Sequence, residues 1–138
     1  MAFEVSRPLR FGDCDPAGIA YFPAYLDILV GVVEEFFAAV GAPWPTLHHE
    51  RGMAVPTVRL DLTFVRPGLH GDVMDFSLRV AAVGGSSLDL VHEVRVGETL
   101  IWSATQRLVA TSTTSKKAMR WPDDIRAGLM AHLEPAAV

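Results

Sequence analysis

The segment RFGDCDPAGIAYFPAYLDILV, residues 10–30, passes from a polar stretch with two glycines into the longest apolar pattern of the chain. From Pro23 onward, apolar residues recur at steps of three and four, which is the period of an amphipathic helix. Pro23 suits the first turn because its missing N–H costs no hydrogen bond there. Gly41 and Pro43 end the pattern, so the segment predicts one long helix over about residues 24–40. Its expected core-facing residues are Leu26, Leu29, Val30, Val33, Phe36, Phe37 and Val40.

Most of the remaining chain alternates with the period of two that is typical of β-strands. Residues 2–10 predict a first strand, and residues 58–64 predict a second. Between the long helix and the second strand, residues 41–53 are rich in Pro, His and Trp and are read as a loop. The sequence GGSS at 84–87 and the residue Gly97 provide hairpin turns. These turns separate three further strands, expected over about residues 74–80, 88–96 and 99–111.

Residues 121–133, WPDDIRAGLMAHL, predict a short helix, in which Asp123 and Asp124 complement the positive end of the dipole. The predicted order is therefore a strand, a long helix, four strands and a short helix. A mainly antiparallel sheet of about five strands, wrapped around the long helix, lets each cover the apolar face of the other. This is an α+β fold. Its edge strands need protection, so we expect the chain to self-associate.

The composition excludes several classes of protein. The 138 residues suit a single domain over residues 1–138, and no internal repeat or linker divides them. The net charge of −4 and the pI near 5.7 argue against nucleic acid as a partner. A lone cysteine forms no internal disulfide, which favours a cytoplasmic location. No apolar run approaches the roughly 20 residues that cross a membrane, and the first residues lack the apolar core of a signal peptide.

Two carboxylates, Asp13 and Asp15, flank Cys14 just before the long helix. A helix N-terminus presents unpaired N–H groups, here those of Tyr21 and Phe22, which can polarise a carbonyl or hold an oxyanion. A carboxylate held beside them can attack that carbonyl or activate a water. The spacing therefore indicates a hydrolytic site, with simple capping or loop hydrogen bonding as the alternative. Cys14 has no evident partner for nucleophilic chemistry, so we expect it to pack.

The segment FGDCDPAGIAYFPAYLD resembles the active-site segment of the 4-hydroxybenzoyl-CoA thioesterase family, which has the hotdog fold. The family pattern is D-x-D-x-x-G, followed by aromatic residues, a Pro or small residue, and a Tyr that enters the long helix. Further similarity lies in ERG at 50–52, in Pro56 and in the closing WPDDIRAGL. The matching residues of the segment are Asp13, Asp15, Pro16, Gly18, Phe22, Pro23 and Tyr25.

The resemblance implies an acyl-CoA thioesterase that hydrolyses an acyl- or aroyl-CoA thioester to the free acid and CoA. It makes Asp15 the nucleophile or general base and the backbone N–H of Phe22 the oxyanion donor. It also implies a homodimer or homotetramer with its active site at a subunit interface, no metal, and no cofactor apart from the coenzyme A of the substrate. We expect Asp13 chiefly to order the loop. The residues expected to contact substrate are Asp13, Pro16, Gly18, Tyr21, Tyr25, Thr57 and Val58.

Two departures from the family pattern bear on the substrate. The best-known relatives carry basic residues in a turn that binds the coenzyme A phosphates, whereas this chain has VGGSSL at 83–88. The phosphates would then be met by Arg66, Lys116, Lys117 or the N–H groups of the Gly-Gly-Ser turn. Many relatives also have an acid two turns into the long helix, where this chain has Val30. That change predicts a more apolar acyl pocket.

Two other functions remain open: hydrolysis of an acyl carrier protein thioester, and non-catalytic binding of an acyl ligand. The negative net charge disfavours docking of an acidic carrier protein, and the intact Asp15 loop disfavours a pure binder. His92 lies on an apolar strand face and is expected to be a hydrogen-bonded core residue, with a pocket wall as the alternative. His48, His49 and His70 have no further ligand at the spacing of a metal site, so no metal is expected.

Overall fold

The computed structural model describes residues 2–134. The predicted single domain over residues 1–138 includes residue 1 and residues 135–138, which lie outside the described residues. In chain order the elements are β1 (Phe3–Pro8), a 3-10 turn (Phe11–Asp13), α1 (Phe22–Ala39), α2 (Trp44–Glu50), β2 (Met53–Ala54), β3 (Thr57–Phe64), β4 (Val73–Val83), β5 (Ser87–Val96), β6 (Thr99–Val109), β7 (Thr111–Ser112) and α3 (Asp123–Met130).

Five strands form one sheet in the order β1-β4-β5-β6-β3, and every strand pairing in it is antiparallel. β4, β5 and β6 follow one another as hairpins, with turns at the GGSS sequence and at Gly97, as predicted. Gly97 has a φ of 60°, which the tight turn requires and which glycine adopts without steric cost. The predicted antiparallel sheet of about five strands is therefore confirmed, with β1 and β3 at its two edges.

Helix α1 covers the apolar face of this sheet. Tyr25 and Phe36 are buried, and the ring of Tyr25 lies 5.1 Å from the ring of Trp102 on β6. The long helix is confirmed, and it begins at Phe22, two residues earlier than predicted. Together with the sheet it forms the hotdog arrangement that the resemblance implied. Val30 was wrongly predicted to face the core, because its side chain is 49% exposed. It follows the buried Leu29 directly, and one helical step turns a side chain about 100° away from the core.

The segment at 41–53, which was read as a loop, contains helix α2. Pro45 sits in its first turn, where a missing N–H is tolerated, so the residue that suggested a loop is compatible with a helix start. Leu47 is buried and holds this short helix to the core. The chain then pairs β2 with β7 in a separate two-stranded ladder, which the sequence pattern did not reveal.

Helix α3 forms where it was predicted, and its Ile125 and Leu129 side chains are buried in the hydrophobic core. Its Gly128 approaches the C-terminal end of α1 so closely that a Cβ there would lie 2.8 Å from the carbonyl oxygen of Val40. The Arg126 guanidinium donates to the carbonyl oxygen of Gly84 at 2.6 Å. Helix α3 is thereby fixed against the β4–β5 turn.

Candidate active site

The loop that carries Asp15 is closed by its own backbone. The N–H of Asp15 donates to the carbonyl oxygen of Ile19 at 2.9 Å, and the N–H of Gly18 donates to the carbonyl oxygen of Asp15 at 2.9 Å. Gly18 has a φ of 78°, so the turn requires the left-handed conformation that glycine adopts most readily. These bonds fix the direction in which the Asp15 side chain leaves the loop.

The Asp15 carboxylate is exposed but oriented. Its Oδ1 accepts hydrogen bonds from the N–H groups of Ala17 at 2.9 Å and Ile19 at 3.3 Å. Among the bonds of residues 2–134, Oδ2 has no partner, so one oxygen holds the group in place while the other can accept a further hydrogen bond. The bond from the N–H two residues on forms an Asx turn, so this carboxylate orders the loop and keeps one oxygen unused.

Asp13 has a different role, as the sequence suggested. Its Oδ2 accepts a hydrogen bond from the N–H of Arg10 at 2.9 Å, and its carbonyl oxygen accepts from the N–H of Tyr21 at 2.8 Å. Asp13 therefore orders both ends of the loop. The latter bond corrects one expectation: the N–H of Tyr21 is not free to point into a pocket, because the loop backbone closes on it.

Cys14 is half-buried between the two acids and donates to the carbonyl oxygen of Arg10 at 3.5 Å. Partial burial raises the pKa of its thiol, and the charges of Asp13 and Asp15 raise it further. A nucleophilic cysteine needs the opposite, an environment that favours the thiolate. The observations support a packing role for Cys14.

The segment 68–70 anchors the loop from outside. The N–H of Ala20 donates to the carbonyl oxygen of Gly68 at 2.9 Å, and the N–H of His70 donates to that of Gly18 at 3.0 Å. Gly68 also donates its own N–H to the hydroxyl oxygen of Tyr25 at 2.8 Å. A Cβ on Gly68 would lie 2.7 Å from that oxygen, so a larger residue does not fit without displacing the ring.

The N-terminus of α1 meets this loop beside a cavity of about 350 Å³. The Phe22 N–H is the first of the helix and finds no acceptor among the hydrogen bonds of residues 2–134, as an oxyanion donor requires. The Asp15 carboxylate accepts a hydrogen bond from the N–H of Ile19, and Ile19 itself lines the cavity. The lining residues are Ile19, Ala20, Phe22, Tyr25, Phe64, Val65, Arg66 and Pro67.

Tyr25 forms the inner wall of this cavity. Its ring stacks on Phe64 with centroids 5.8 Å apart and lies 5.1 Å from Trp102, so the three rings form one cluster. Burial raises the pKa of the Tyr25 hydroxyl, partly offset by the hydrogen bond from Gly68. The phenol is therefore neutral at physiological pH and offers an apolar surface to a ligand.

Thr57 and Val58, the other expected substrate contacts, are not near Asp15 within one chain. Phe64, at one end of β3, pairs with Trp102, whereas Thr57, at the other end, pairs with Leu108. Seven strand steps separate the two ends, which is roughly 23 Å. The structure brings Asp13, Asp15 and the start of α1 together, and it leaves Thr57 and Val58 at the far end of the sheet.

That far end also carries cations that the sequence analysis missed. The Arg120 guanidinium reaches the β4–β5 turn, with Nη1 3.6 Å from the position of a Cβ on Gly85. Trp121 donates its N–H to the carbonyl oxygen of Gly85 at 3.0 Å, which fixes the C-terminal segment against the turn. Arg120 lies 35 residues from Gly85 in the chain. No local pattern links them, so only the fold identifies this basic group.

A second cavity, of about 230 Å³, lies at the same far end between α2 and β2. Trp44, Leu47, Met53 and Val55 contribute to its largely apolar wall. Within residues 2–134, no group of three or more His, Cys, Asp and Glu side chains is arranged to hold a metal ion. The helices of that same part of the chain are all too short or too polar to cross a membrane.

Comparison with known proteins identifies the family. The model of the thioesterase-like superfamily matches residues 9–129, which include the Asp15 loop and α1. The chain belongs to the thioesterase-like superfamily.

Relatives in the thioesterase-like superfamily resemble the chain over most of its length. It is 30% identical over 125 residues to the 1,4-dihydroxy-2-naphthoyl-CoA hydrolase of Nostoc punctiforme, covering 91% of this chain and 84% of that protein. It is 38% identical over 75 residues to the 4-hydroxybenzoyl-CoA thioesterase of a Pseudomonas species, covering 53% of each. The crystal structure of a 1,4-dihydroxy-2-naphthoyl-CoA thioesterase from Synechocystis superposes with a TM-score of 0.85 at 19% identity, over 94% of this chain and 96% of that one.

Proposed function

We propose that this member of the thioesterase-like superfamily hydrolyses acyl-CoA thioesters, with Asp15 as the reacting carboxylate. The observation that carries the proposal is the geometry of that side chain. One carboxylate oxygen is held by two backbone N–H groups, and the other is unpartnered among residues 2–134. One of the two donors, Ile19, lines the cavity. The names of the relatives, which are hydrolases of aromatic acyl-CoA thioesters, support the same reaction class.

In this proposal the thioester carbonyl points at the N–H of Phe22. That N–H and the positive end of the α1 dipole stabilise the negative charge that develops on the carbonyl oxygen. The free oxygen of Asp15 either attacks the carbonyl carbon, which expels the CoA thiolate and leaves an anhydride for water to open, or removes a proton from an attacking water. Both routes give the free acid and CoA.

We further propose that the active chain is a dimer or tetramer built through β3. This strand has β6 on one side and no strand on the other within residues 2–134. Val58 is 57% exposed and Phe64 is 48% exposed, although both belong to the apolar pattern of the strand. An edge of this kind favours pairing with a second copy. Antiparallel pairing about a two-fold axis places Thr57 of one copy near Phe64 of the other.

This pairing joins the two ends that a single chain keeps apart. The Asp15 end of one copy meets the partner's end of the sheet, with its β4–β5 turn and its α2 cavity. Arg120 beside Gly85 then offers a cation for the coenzyme A phosphates, in place of the basic turn that the chain lacks. Exposed Val30 on α1 favours an acyl group without a polar substituent at that point.

The test is a hydrolysis screen over short, long and aromatic acyl-CoAs, with the released thiol detected. On the best substrate, we expect Asp15→Asn to lower kcat at least about 100-fold while substrate binding changes little. Asp13→Asn is the matched control, because it makes the same change two residues away and should act mainly by lowering stability. If the protein hydrolysed acyl carrier protein thioesters and no acyl-CoA, the carrier in this proposal would be acyl carrier protein instead of coenzyme A. Binding of acyl-CoA without thiol release would contradict the proposal.

A further inference from the structure

A chain of three polar side chains crosses the far end of the sheet from the core to the surface. His92 on β5 is 1% exposed and Gln106 on β6 is 5% exposed. The Nε2 atom of His92 lies 2.8 Å from Oε1 of Gln106, and Nε2 of Gln106 donates to the hydroxyl oxygen of Thr57 at 2.9 Å. This confirms His92 as a hydrogen-bonded core histidine.

The hydrogen bonds among these three side chains run in one direction, from His92 through Gln106 to Thr57. The Gln106 Oε1 atom only accepts hydrogen bonds, so the proton of neutral His92 must be on Nε2. Burial lowers the pKa of His92 to about 4, partly offset by the bond to Gln106, so the ring is neutral. Its Nδ1 has no partner within residues 2–134. The Gln106 amide then donates to Thr57, so the oxygen of Thr57 accepts within the protein and its hydroxyl hydrogen is available to donate.

A β-bulge aims Thr57 into this chain. From Phe64 back to Arg59, β3 pairs with β6 in one regular register, and the register then shifts so that Thr57 pairs with Leu108. The extra residue in the shift is Val58. Regular alternation would put Thr57 on the same outer face as Arg59 and Thr63. The bulge turns Thr57 to the core face instead, and bulges often re-aim side chains beside active sites.

We propose that Gln106 and His92 are positioning residues that hold the Thr57 hydroxyl as a hydrogen-bond donor to a carbonyl oxygen of the substrate. This inference rests on the proposed function and extends it, because it gives the buried polar side chains a role in substrate recognition. Burying polar groups costs stability, and three apolar side chains would avoid that cost. The polar chain instead ends at an exposed strand edge, where the paired copies place Thr57 beside the partner's Asp15 end.

An acyl-CoA offers carbonyl oxygens in two parts, the acyl group and the amides of the pantetheine arm. Thr57→Val removes the hydroxyl at constant shape, and we expect KM to rise about three- to tenfold with kcat unchanged, as for loss of one hydrogen bond in ground and transition state alike. Thr57→Ser should recover most of the affinity. Thr63→Val, on the same strand but on the outer face, is the matched control and should leave KM unchanged.

A double-mutant cycle separates positioning from structural support. Gln106→Met keeps the shape but removes the amide, and we expect it to raise KM in the wild-type background and not in Thr57→Val. Its effect on thermal stability should persist in both backgrounds. Nitrogen-15 spectra of His92 provide a second readout, with the neutral Nε2–H tautomer expected. The Nδ1–H tautomer would reverse the chain and overturn the proposal, as would additive effects of the two substitutions on KM.

The source of the carbonyl is distinguished by a second substrate, the thiophenyl ester of the same acyl group, which lacks pantetheine. A rise in KM for the CoA ester alone assigns the contact to the pantetheine arm. A rise for both esters assigns it to the acyl group. If Thr57→Val leaves KM unchanged on both esters while the wild type hydrolyses them, the inference fails and the proposed function stands. If the wild type releases no thiol from any ester, the proposed function itself fails.

Discussion

The two ends of the sheet differ in every property that bears on catalysis. The end at Phe64 carries the exposed Asp15 carboxylate, the free N–H of α1 and exposed aromatic rings. The end at Thr57 carries a buried polar chain, an apolar cavity and a guanidinium against the β4–β5 turn. The first end has the proposed reacting carboxylate and a cavity of about 350 Å³. The second has binding groups with no reacting carboxylate.

In the proposed function, each chain therefore contributes two half-sites. Helix α1 spans the distance between them, since its 18 residues extend about 27 Å. A CoA thioester is long enough to need both kinds of group, but one chain presents them at opposite ends. In the proposed dimer, pairing through β3 brings the Asp15 end of each copy to the far end of the other, which would give two complete sites.

The largest expected effect on activity comes from damaging one half-site at a time by mutation. Asp15→Asn damages the reacting half-site, and Arg120→Glu damages the binding half-site by reversing a charge that faces the phosphates. We expect each variant alone to lose most of its kcat/KM. Mixed dimers, formed by refolding the two together, contain one undamaged site out of two. With random pairing, activity should recover to about a quarter of the wild-type value.

A further variant tests the proposed dimer directly, by disrupting the edge through which the two copies pair. Val58→Lys places a charge on the exposed edge of β3 and should give a monomer by light scattering with little hydrolysis. No recovery on mixing, despite dimers that exchange subunits, would contradict the shared site. An active monomer of Val58→Lys would contradict it as well.

The second effect concerns stability at the far end. His92 titrates at 6.5 in the unfolded chain and, because of burial, at about 4 in the folded one. Below pH 6.5 the unfolded state binds the proton first, so the free energy of unfolding falls as the pH drops from 6.5 to about 4. The full loss is about 3 kcal/mol. Urea unfolding across this pH range measures it, with His92→Gln as the reference.

Only the difference between wild type and His92→Gln counts, because the carboxylates titrate in both proteins. Equal pH dependence in the two proteins would mean that His92 is solvated in the folded state. The same measurement at the Asp15 end has no counterpart, since no buried histidine lies there within residues 2–134. The two ends should therefore respond differently to acid, with kcat and stability falling for separate reasons.

Much of the fold could be predicted from local pattern. The long helix, the five strands, both hairpin turns and the closing helix follow from periodicity and turn residues between neighbours in sequence. Helix α2 could not be predicted, because Pro45 and the paired histidines conceal a helix that one buried leucine, Leu47, holds in place. The sheet order and the β2–β7 ladder depend on long-range pairing, which leaves no local signal.

The candidate site divides in the same way. The Asp15 loop is contiguous, so its sequence reveals the carboxylates, the glycine turn and the helix start together. The prediction for Tyr21 was wrong in one respect, since its N–H is not free but donates to the carbonyl oxygen of Asp13. Arg120 and Gln106 were missed because they meet their partners only through the fold. The bulge at Val58 was equally hidden, since it depends on the register of β3 against β6.

A smaller effect is expected from Gly68→Ala at the Asp15 end. The added methyl group would lie 2.7 Å from the Tyr25 hydroxyl, and the buried Tyr25 ring contacts the rings of both Phe64 and Trp102, which restricts its movement. A Cβ on Gly68 would also lie 3.2 Å from Leu9, so we expect a loss of about 1–3 kcal/mol in the free energy of unfolding, as for other overpacked sites. Gly12→Ala is the control, because a Cβ there meets no atom within 4 Å. Equal losses for the two variants would show that the Tyr25 contact is not the cause.

The smallest effect is expected at the ion pair that joins α2 to α3 at the far end. Both guanidinium nitrogens of Arg51 donate to Asp124 at 2.9 Å, which lowers the pKa of the Asp124 carboxyl to about 2. Both side chains face solvent, so the pair is screened and contributes little. Arg51→Met should lower Tm slightly at neutral pH and low salt. The difference from wild type should shrink in 1 M salt, and also below about pH 4 as the carboxyl becomes protonated. A large loss of kcat in Arg51→Met would instead mean that this pair positions the binding half-site.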